Sequence, residues 1–392
     1  MTHVLFLAWH YLRFYWVKTV ILIISISLIG FIPFGLQVVV NQASEMLIAR
    51  AEETPLLIGA KGSALDLTLS SLYYRPPNFD PLPYREVAWL NNTALSAAIP
   101  LHLRYMASGS RIVGTTTDYF EYRNLVIEDG RSMAILGECV LGSGVADRLD
   151  LSPGDSMLSS PAGAFDVAGS YPLKMRVVGI LAPVETPDDG AVFVDVKTAW
   201  VISGLAHGHM DMSTPEAESG VLEQQEGNIV ANASILSYTE ITPENLDSFH
   251  FHGDPDDFPI DAILAVPQSA RSGTMLRGRY EERTDPVQIL VPSRVIGELI
   301  STVLSVRNFV IMGSVGVGIA TLATVVLVFM LSIRLRKREI ETIRKIGGTG
   351  RRLKAILASE ILIVVFISAG MTAGMVLIVS RYGLAITDFF LS

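Results

Sequence analysis

The chain has 392 residues, half of them apolar and only 18% charged, with a mean hydropathy of +0.42. Soluble domains carry about 25% charged residues, so the composition argues against a wholly soluble protein. Thirty basic against 39 acidic residues give a formal charge of −9, the wrong balance for a nucleic-acid binder, which sets clustered Lys and Arg against phosphate. The single cysteine, Cys139, excludes an intramolecular disulfide and any Cys-rich zinc or iron–sulfur site.

Residues 1–18 mix Trp, Tyr, Phe and His with Arg13 and Lys18. They read either as an amphipathic helix in the inner headgroup layer or as an aromatic-belted extension of the first span. Three uncharged stretches, 19–40, 308–333 and 361–380, meet the requirement of about 20 consecutive apolar residues for a membrane span. Pro33 is expected to kink the first, which a membrane helix tolerates. No small-residue cleavage site follows it, and the chain runs on into the helix-like NQASEMLIARAEE, so the segment reads as an uncleaved anchor.

Orientation follows from the charges beside the spans. Segment 334–354 holds nine Lys or Arg and two Glu, net +7, whereas 41–307 carries −17. The expected order is a cytoplasmic segment 1–18, span 19–40, exterior domain 41–307, span 308–333, cytoplasmic loop 334–356, span 357–380 and an exterior tail 381–392. The fold class is an α-helical membrane protein with a large exterior α/β domain, three transmembrane helices and a helical stalk.

Within the exterior domain, TPLLIGA predicts a buried strand, and GSALDLTLSSLYY a helix with Leu65, Leu69, Leu72 and Tyr73 on its inner face, ended by Arg75-Pro76-Pro77. RIVGTTT, ECVLGS, KMRVVGILAPV, GAVFVDV, IVANASILSY and IDAILAVP read as strands separated by turn-rich stretches. The acidic run from Met210 to Glu226 reads as an exposed loop. Residues 115–225 are expected to form an insert in a domain that begins and ends near the membrane. Val295, Ile296, Leu299, Val303 and Leu304 share one helical face, so 293–307 reads as a stalk feeding the second span.

Four of the seven histidines form two HxH pairs, His207 with His209 and His250 with His252. On extended backbone an HxH pair turns both imidazoles to one side, as a metal requires. Together the pairs could hold zinc, or copper if Met210 or Met212 joined them; solvated loop histidines are the alternative. In the spans, Gly370 and Gly374 form a GxxxG, and Ser314 and Gly318 a small-xxx-small pair; such residues let membrane helices approach closely. No ionisable residue lies mid-span, so no polar conduction path is indicated.

The cytoplasmic loop RLRKREIETIRKIGGTGRRLKAILASE predicts a short helix, 336–346, a glycine break and a second basic run. KREIETIRKIGGTGRRL, followed by Glu360 at the entry to an apolar helix, resembles the signature loop of FtsX-like and MacB-like ABC transporter permeases. VVGIL with TPDDGAVFV, DYFEYRNLVIEDGR, ECVLGSGVADRLDLSPGD and TPLLIGAKGSALDLTLSSLYY resemble parts of the periplasmic core domain of the same family.

The resemblance implies a non-catalytic permease subunit of the inner membrane, paired with a second permease copy and with separate ABC ATPase subunits that bind ATP. A periplasmic adaptor or binding protein is a further possible partner. It places Arg338, Glu339, Ile340, Arg344, Ile346 and Gly347 on the loop that docks on the ATPase, and Glu360 at the start of the following span. The chain has no GxxxxGK[ST], so the ATPase is a different protein. No GxSxG or HExxH occurs either. The family pattern has four spans; this chain is either a three-span variant, as expected here, or a truncated one. The alternative is a membrane-anchored exterior sensor or metal-binding protein not driven by an ATPase.

Overall fold

The computed structural model describes residues 2–160, 172–208, 221–225, 228–231, 240–335, 337, 341–342, 345 and 350–391. The chain forms two compact units, one of Met1–Ala49 with Gly297–Ser392, the other of Arg50–Ile296.

Two helices open the chain, α1 (Thr2–Phe14) and α2 (Trp16–Glu52). The second unit then runs β1 (Leu56–Ala60), α3 (Ala64–Tyr73), β2 (Leu82–Pro83), α4 (Arg85–Asn92), β3 (Ser96–Leu101), β4 (Met106–Ala107), β5 (Ser110–Thr115) and α5 (Asp118–Tyr122). It continues with β6 (Ile127–Gly130), β7 (Glu138–Leu141), α6 (Ser143–Leu149), β8 (Ser156–Ser160), β9 (Lys174–Leu181), β10 (Ala191–Asp195) and α7 (Val196–Ile202). After β11 (Ala206–Gly208), β12 (Val221–Gln225), β13 (Asn228–Ala231) and β14 (Phe249–Phe251) come β15 (Pro259–Ile260), β16 (Ala262–Pro267), α8 (Ala270–Glu281) and β17 (Val287–Leu290). Helices α9 (Pro292–Leu335) and α10 (Gly350–Leu391) complete the order.

The Arg50–Ile296 unit holds two main sheets. One is antiparallel, in the order β17-β1-β16-β3. The other has the order β6-β9-β7-β10-β5-β4-β8, and β9 also pairs with β8, so six of its strands close into a ring. The two meet where His102 and Gly114 exchange backbone hydrogen bonds of 2.8 Å each. The apolar runs read from the sequence supply the interiors: Ile112, Leu141, Val177 and Val192 in the larger sheet, and Leu56, Ile58, Leu90 and Ile263 in the smaller.

Local rules explain the helices. Ser63 caps α3 by accepting from the Asp66 amide at 3.1 Å, and Tyr74, with φ of 56°, ends it in left-handed backbone. Asp195 caps α7 in the same way, through the Lys197 amide at 2.8 Å. The inner face of α3 differs from the sequence reading. Leu67, Thr68, Ser71 and Leu72 are buried, whereas Leu65 and Leu69 are half-buried. The cause is Gly59 on β1: a Cβ there would stand 2.4 Å from Leu67, so the bare backbone draws the Leu67 side of the helix against the strand. The acidic run 210–226 holds the strand β12, paired with β13, where the sequence reading expected only a loop; 209–220 and 226–227 are outside the described residues.

In the unit of Met1–Ala49 with Gly297–Ser392, three helices are long and apolar enough to cross a membrane, over Trp16–Glu52, Pro292–Val328 and Lys354–Tyr382. Helix α2 runs through Pro33 without interruption. Residues 381–391, expected as a tail, continue α10. Leu12, Leu22 and Val364 are buried together. The seam between α2 and α10 is built of small polar residues. Ser27 donates to the Ser368 carbonyl at 3.1 Å, and Thr372 to that of Ser27 at 3.1 Å. A Cβ on Gly30 would meet Thr372 at 3.2 Å. Large apolar side chains such as Phe309, Leu322, Phe366 and Leu377 are exposed, as lipid-facing residues are.

Candidate coupling site

Arg50 is the first residue of the exterior unit and stands in the last turn of α2, where a cation complements the helix dipole. Its guanidinium is 5% exposed. Nη1 and Nη2 reach the two carboxylate oxygens of Asp188 at 2.5 and 3.0 Å, and Nε donates to the Leu72 carbonyl at 2.9 Å. Nη2 also donates to the Tyr119 hydroxyl at 2.9 Å. Tyr74 and Tyr119 donate to Asp188 at 2.5 and 2.9 Å, and Thr186 adds a hydrogen bond at 2.9 Å.

The charge state of this cluster follows from its contacts. Burial by itself would raise the Asp188 carboxyl, but the Arg50 charge and the hydrogen bonds from Arg50, Tyr74 and Tyr119 outweigh it and hold the group below its usual value. Burial pushes the Tyr74 and Tyr119 hydroxyls up, so both stay protonated and able to donate. The result is a salt-bridged, fully ligated carboxylate.

Backbone geometry fixes Asp188. It lies in the 3-10 turn Pro187–Gly190, which Thr186 caps. Gly142, at the start of α6, lies directly beneath: a Cβ there would be 2.2 Å from the Asp188 carbonyl oxygen and 2.5 Å from that of Asp189. Only glycine permits that approach. A second set of contacts secures the next turn of chain. Tyr122 donates to the Glu53 carbonyl at 2.5 Å, and Arg123 donates to Thr54 at 2.7 Å and Glu53 at 3.4 Å.

The residues that surround Arg50 come from sequence-distant stretches: SSLYY, DYFEYRN, ECVLGSG and TPDDG. Each belongs to a motif that carried the family resemblance, yet none of the residues stood out individually. The available signal was that Arg50 is the one basic residue between Lys18 and Lys61.

The residues expected to dock on an ATPase, Arg338, Glu339, Ile340, Arg344, Ile346 and Gly347, lie outside the described residues. Glu360 is described and buried in α10, within reach of the Lys18 charge. A Cβ on Gly370 or Gly374 would meet nothing within 4 Å in a single copy, one on Gly318 would stand 3.8 Å from Ile29, and Ser314 bonds within its own helix to Val310 at 2.8 Å. Among the described residues, Ser27, Gly30, Ser368 and Thr372 pack closely between α2 and α10.

Of the histidines, His250 on β14 and His252 just after it are exposed, with ring centroids 4.7 Å apart, and His207 is paired with His250 in the backbone register. His209 is outside the described residues. Among the described residues no group of three His, Cys, Asp or Glu is placed to hold a metal ion.

A cleft of about 740 Å³ lies between Lys61, Pro83, Trp89 and Arg283. Arg283 there is held by Glu86 at 2.8 and 2.9 Å and by Asp285 at 2.7 Å, with its guanidinium over Trp89.

The family profile described as the MacB-like periplasmic core domain matches residues 20–234, more than half of the chain, and the chain belongs to that family. It is thus a membrane protein of the FtsX/MacB-like ABC permease class, its α/β domain lying outside the cytoplasmic membrane. Among solved structures it is similar to the periplasmic region of MacB from Actinobacillus actinomycetemcomitans, at 11% identity and a TM-score of 0.35, covering 63% of this chain and 92% of that one. It is also similar to the extracellular domain of the noncanonic ABC-type transporter YknZ from Gram-positive bacteria, at 10% identity and a TM-score of 0.33, covering 60% and 98%. No curated protein matches.

Proposed function

We propose that this chain is the permease subunit of an ABC transporter complex and couples ATP hydrolysis in a separate ATPase to movement of the exterior domain. The work done is export, extraction or mechanotransmission, and the subunit itself is non-catalytic. The ATPase docks on the basic loop 334–356, with Arg338, Glu339 and Arg344 as its charged contacts. A second permease copy packs against the faces that carry Gly370 and Gly374.

The observation that supports this reading is the Arg50 cluster. A helix that only anchored a domain would need no buried, bidentate ion pair at its exit. Arg50 with Asp188, Tyr74 and Tyr119 instead ties the first residue of the exterior unit firmly into that unit's own body, as a unit meant to move as a whole requires. The test is affinity purification of the full chain from its native membrane after mild cross-linking. An ATP-binding protein carrying GxxxxGK[ST] is expected in the eluate. Its consistent absence would favour the anchored-sensor reading and overturn this one.

A further inference from the structure

On the permease reading, we propose that α10 splints α2 across Pro33, with Ser27, Ser368 and Thr372 as its positioning residues, so that a movement of the basic loop reaches Arg50 through α2. Pro33 lies inside α2. Proline has no N–H, so the Ile29 carbonyl lacks its helical donor, and the ring crowds that same carbonyl. The helix that carries Arg50 in its last turn is therefore easiest to bend near Pro33. Helix α10 has no proline anywhere along Gly350–Leu391.

The contacts between the two helices bracket the proline. Before it, the Ser27 hydroxyl donates to the Ser368 carbonyl at 3.1 Å, and the Ser368 hydroxyl to the Ile23 carbonyl at 3.4 Å. The Thr372 hydroxyl donates to the Ser27 carbonyl at 3.1 Å. After it, Gln42 Nε2 donates to the Ser380 carbonyl at 2.9 Å. These partners rise together along the chain, so α2 and α10 run parallel. Ser27 and Ser368 are 1% and 0% exposed. Between the two sets of bonds, Gly30 leaves room for Thr372, whose hydroxyl would stand 3.2 Å from a Cβ there.

A hydroxyl on a membrane helix has a ready acceptor in the carbonyl one turn back. Ser314, Thr324 and Ser359 use it, donating to Val310, Ala320 and Ala355 at 2.8, 3.0 and 2.8 Å. Ser27, Ser368 and Thr372 bond across to the other helix instead. The same residue types thus behave differently only where α10 passes the proline of α2. A displacement entering α10 from the loop is shared with α2 on both sides of Pro33 and is not taken up as bending there.

The experiment uses the full chain in nanodiscs with its co-purified ATPase. A Cβ on Gly30 would be 3.9 Å from that of Thr372, inside the disulfide range of about 3.5–4.5 Å. The buried Cys139 stays out of the reaction. Gly30→Cys/Thr372→Cys should therefore close on oxidation, and the closed form should stimulate ATP hydrolysis as the parent does. Ser27→Ala/Thr372→Val removes two hydroxyls and keeps the shape of Thr372. At the strength of interhelical hydrogen bonds in membranes, stimulation should then fall about tenfold. Should that variant accumulate poorly, Thr372→Val alone takes its place. Thr372→Ser should keep stimulation, and adding Pro33→Ala should restore it to the hydroxyl-less variant, a rescue that a merely stabilising role would not give. Loss of stimulation in the disulfide-locked form would overturn the proposal, since the helices would then have to slide. So would full stimulation without the hydroxyls, or no rescue by Pro33→Ala. If no ATPase binds, the permease reading fails instead, and the splint is judged on the chain alone. There Ser27→Ala/Ser368→Ala should slow closure of the disulfide about tenfold, and an unchanged rate would overturn it.

Discussion

Arg50 and Asp188 are 138 residues apart in the chain and meet as a bidentate pair at 2.5 and 3.0 Å, with side chains only 5% and 1% exposed. Removing one partner of such a pair leaves an uncompensated buried charge, at a cost of about 3–5 kcal/mol. Arg50→Ala and Asp188→Ala should each lower exterior-domain stability by that amount in denaturant titrations. Replacing both with apolar residues, Arg50→Met/Asp188→Leu, should recover much of the loss. It should still reduce permease-dependent stimulation of the ATPase, because the directional junction is gone. Full stimulation in the double variant would refute a transmitting role for the pair.

The same pair sets an acid limit. The Asp188 carboxyl is held below its unfolded value, about 3.9 for an unperturbed Asp. Its stabilisation is therefore complete above that value and is lost as pH falls through the lower, folded one. Unfolding followed by tryptophan fluorescence should show no contribution from Asp188 to the pH dependence between pH 5 and 8. Below about pH 4, the parent should lose stability more steeply than Asp188→Asn.

Two glycines separate close approach from mere turn composition. A Cβ at Gly142 would collide with the Asp188 and Asp189 carbonyls, whereas one at Gly190 would meet nothing within 4 Å. Gly142→Ala should cost about 1–3 kcal/mol or more, as overpacking does, and Gly190→Ala should be tolerated. Equal thermal shifts for the two would contradict the packing described for the Asp188 turn.

Cys139 is fully buried, and burial raises its thiol to about 12. The native chain should stay unlabelled by maleimide at neutral pH until it is denatured, which makes it a blank background for topology. In that background, Glu128→Cys should label from outside intact cells, and Lys345→Cys only after the inner face is opened. Reversed labelling would invert the orientation drawn from the loop charges.

Glu339→Lys would add a like charge to the basic loop. Stimulated ATPase activity should fall while the exterior domain keeps its thermal transition. Unchanged stimulation would remove Glu339 from the docking surface.

Much of this architecture was legible in the sequence because it depends on local rules. The spans follow from length and apolarity, and LLIGA, VFV and AILAV read as buried strands for the same reason. The face of α3 was misread because only its large apolar residues were weighed. Its true inner face includes Thr68, which satisfies its hydroxyl on the Ala64 carbonyl at 2.8 Å and so is buried without penalty. The Arg50 cluster was not legible as a site. Asp188 reads as an ordinary acidic turn residue and Arg50 as a helix-end cation, and only tertiary convergence joins them. The register that sets His207 opposite His250 was likewise invisible, since it depends on which strands pair.

Phe251 packs against both apolar interiors of the exterior unit, that of the ring-forming sheet and that of the four-stranded one. Neither layer can loosen around this ring without disturbing the other. The unit should therefore melt in a single cooperative step, and amide exchange in the two sheets should converge on one opening free energy. Cutting out the segment between Met106 and Asp195 as an independent fragment would strip away Phe251 and leave its side of the ring-forming sheet sticky. Such shared cooperativity would let a displacement at one edge of the unit reach its whole body instead of dissipating in a local unfolding event.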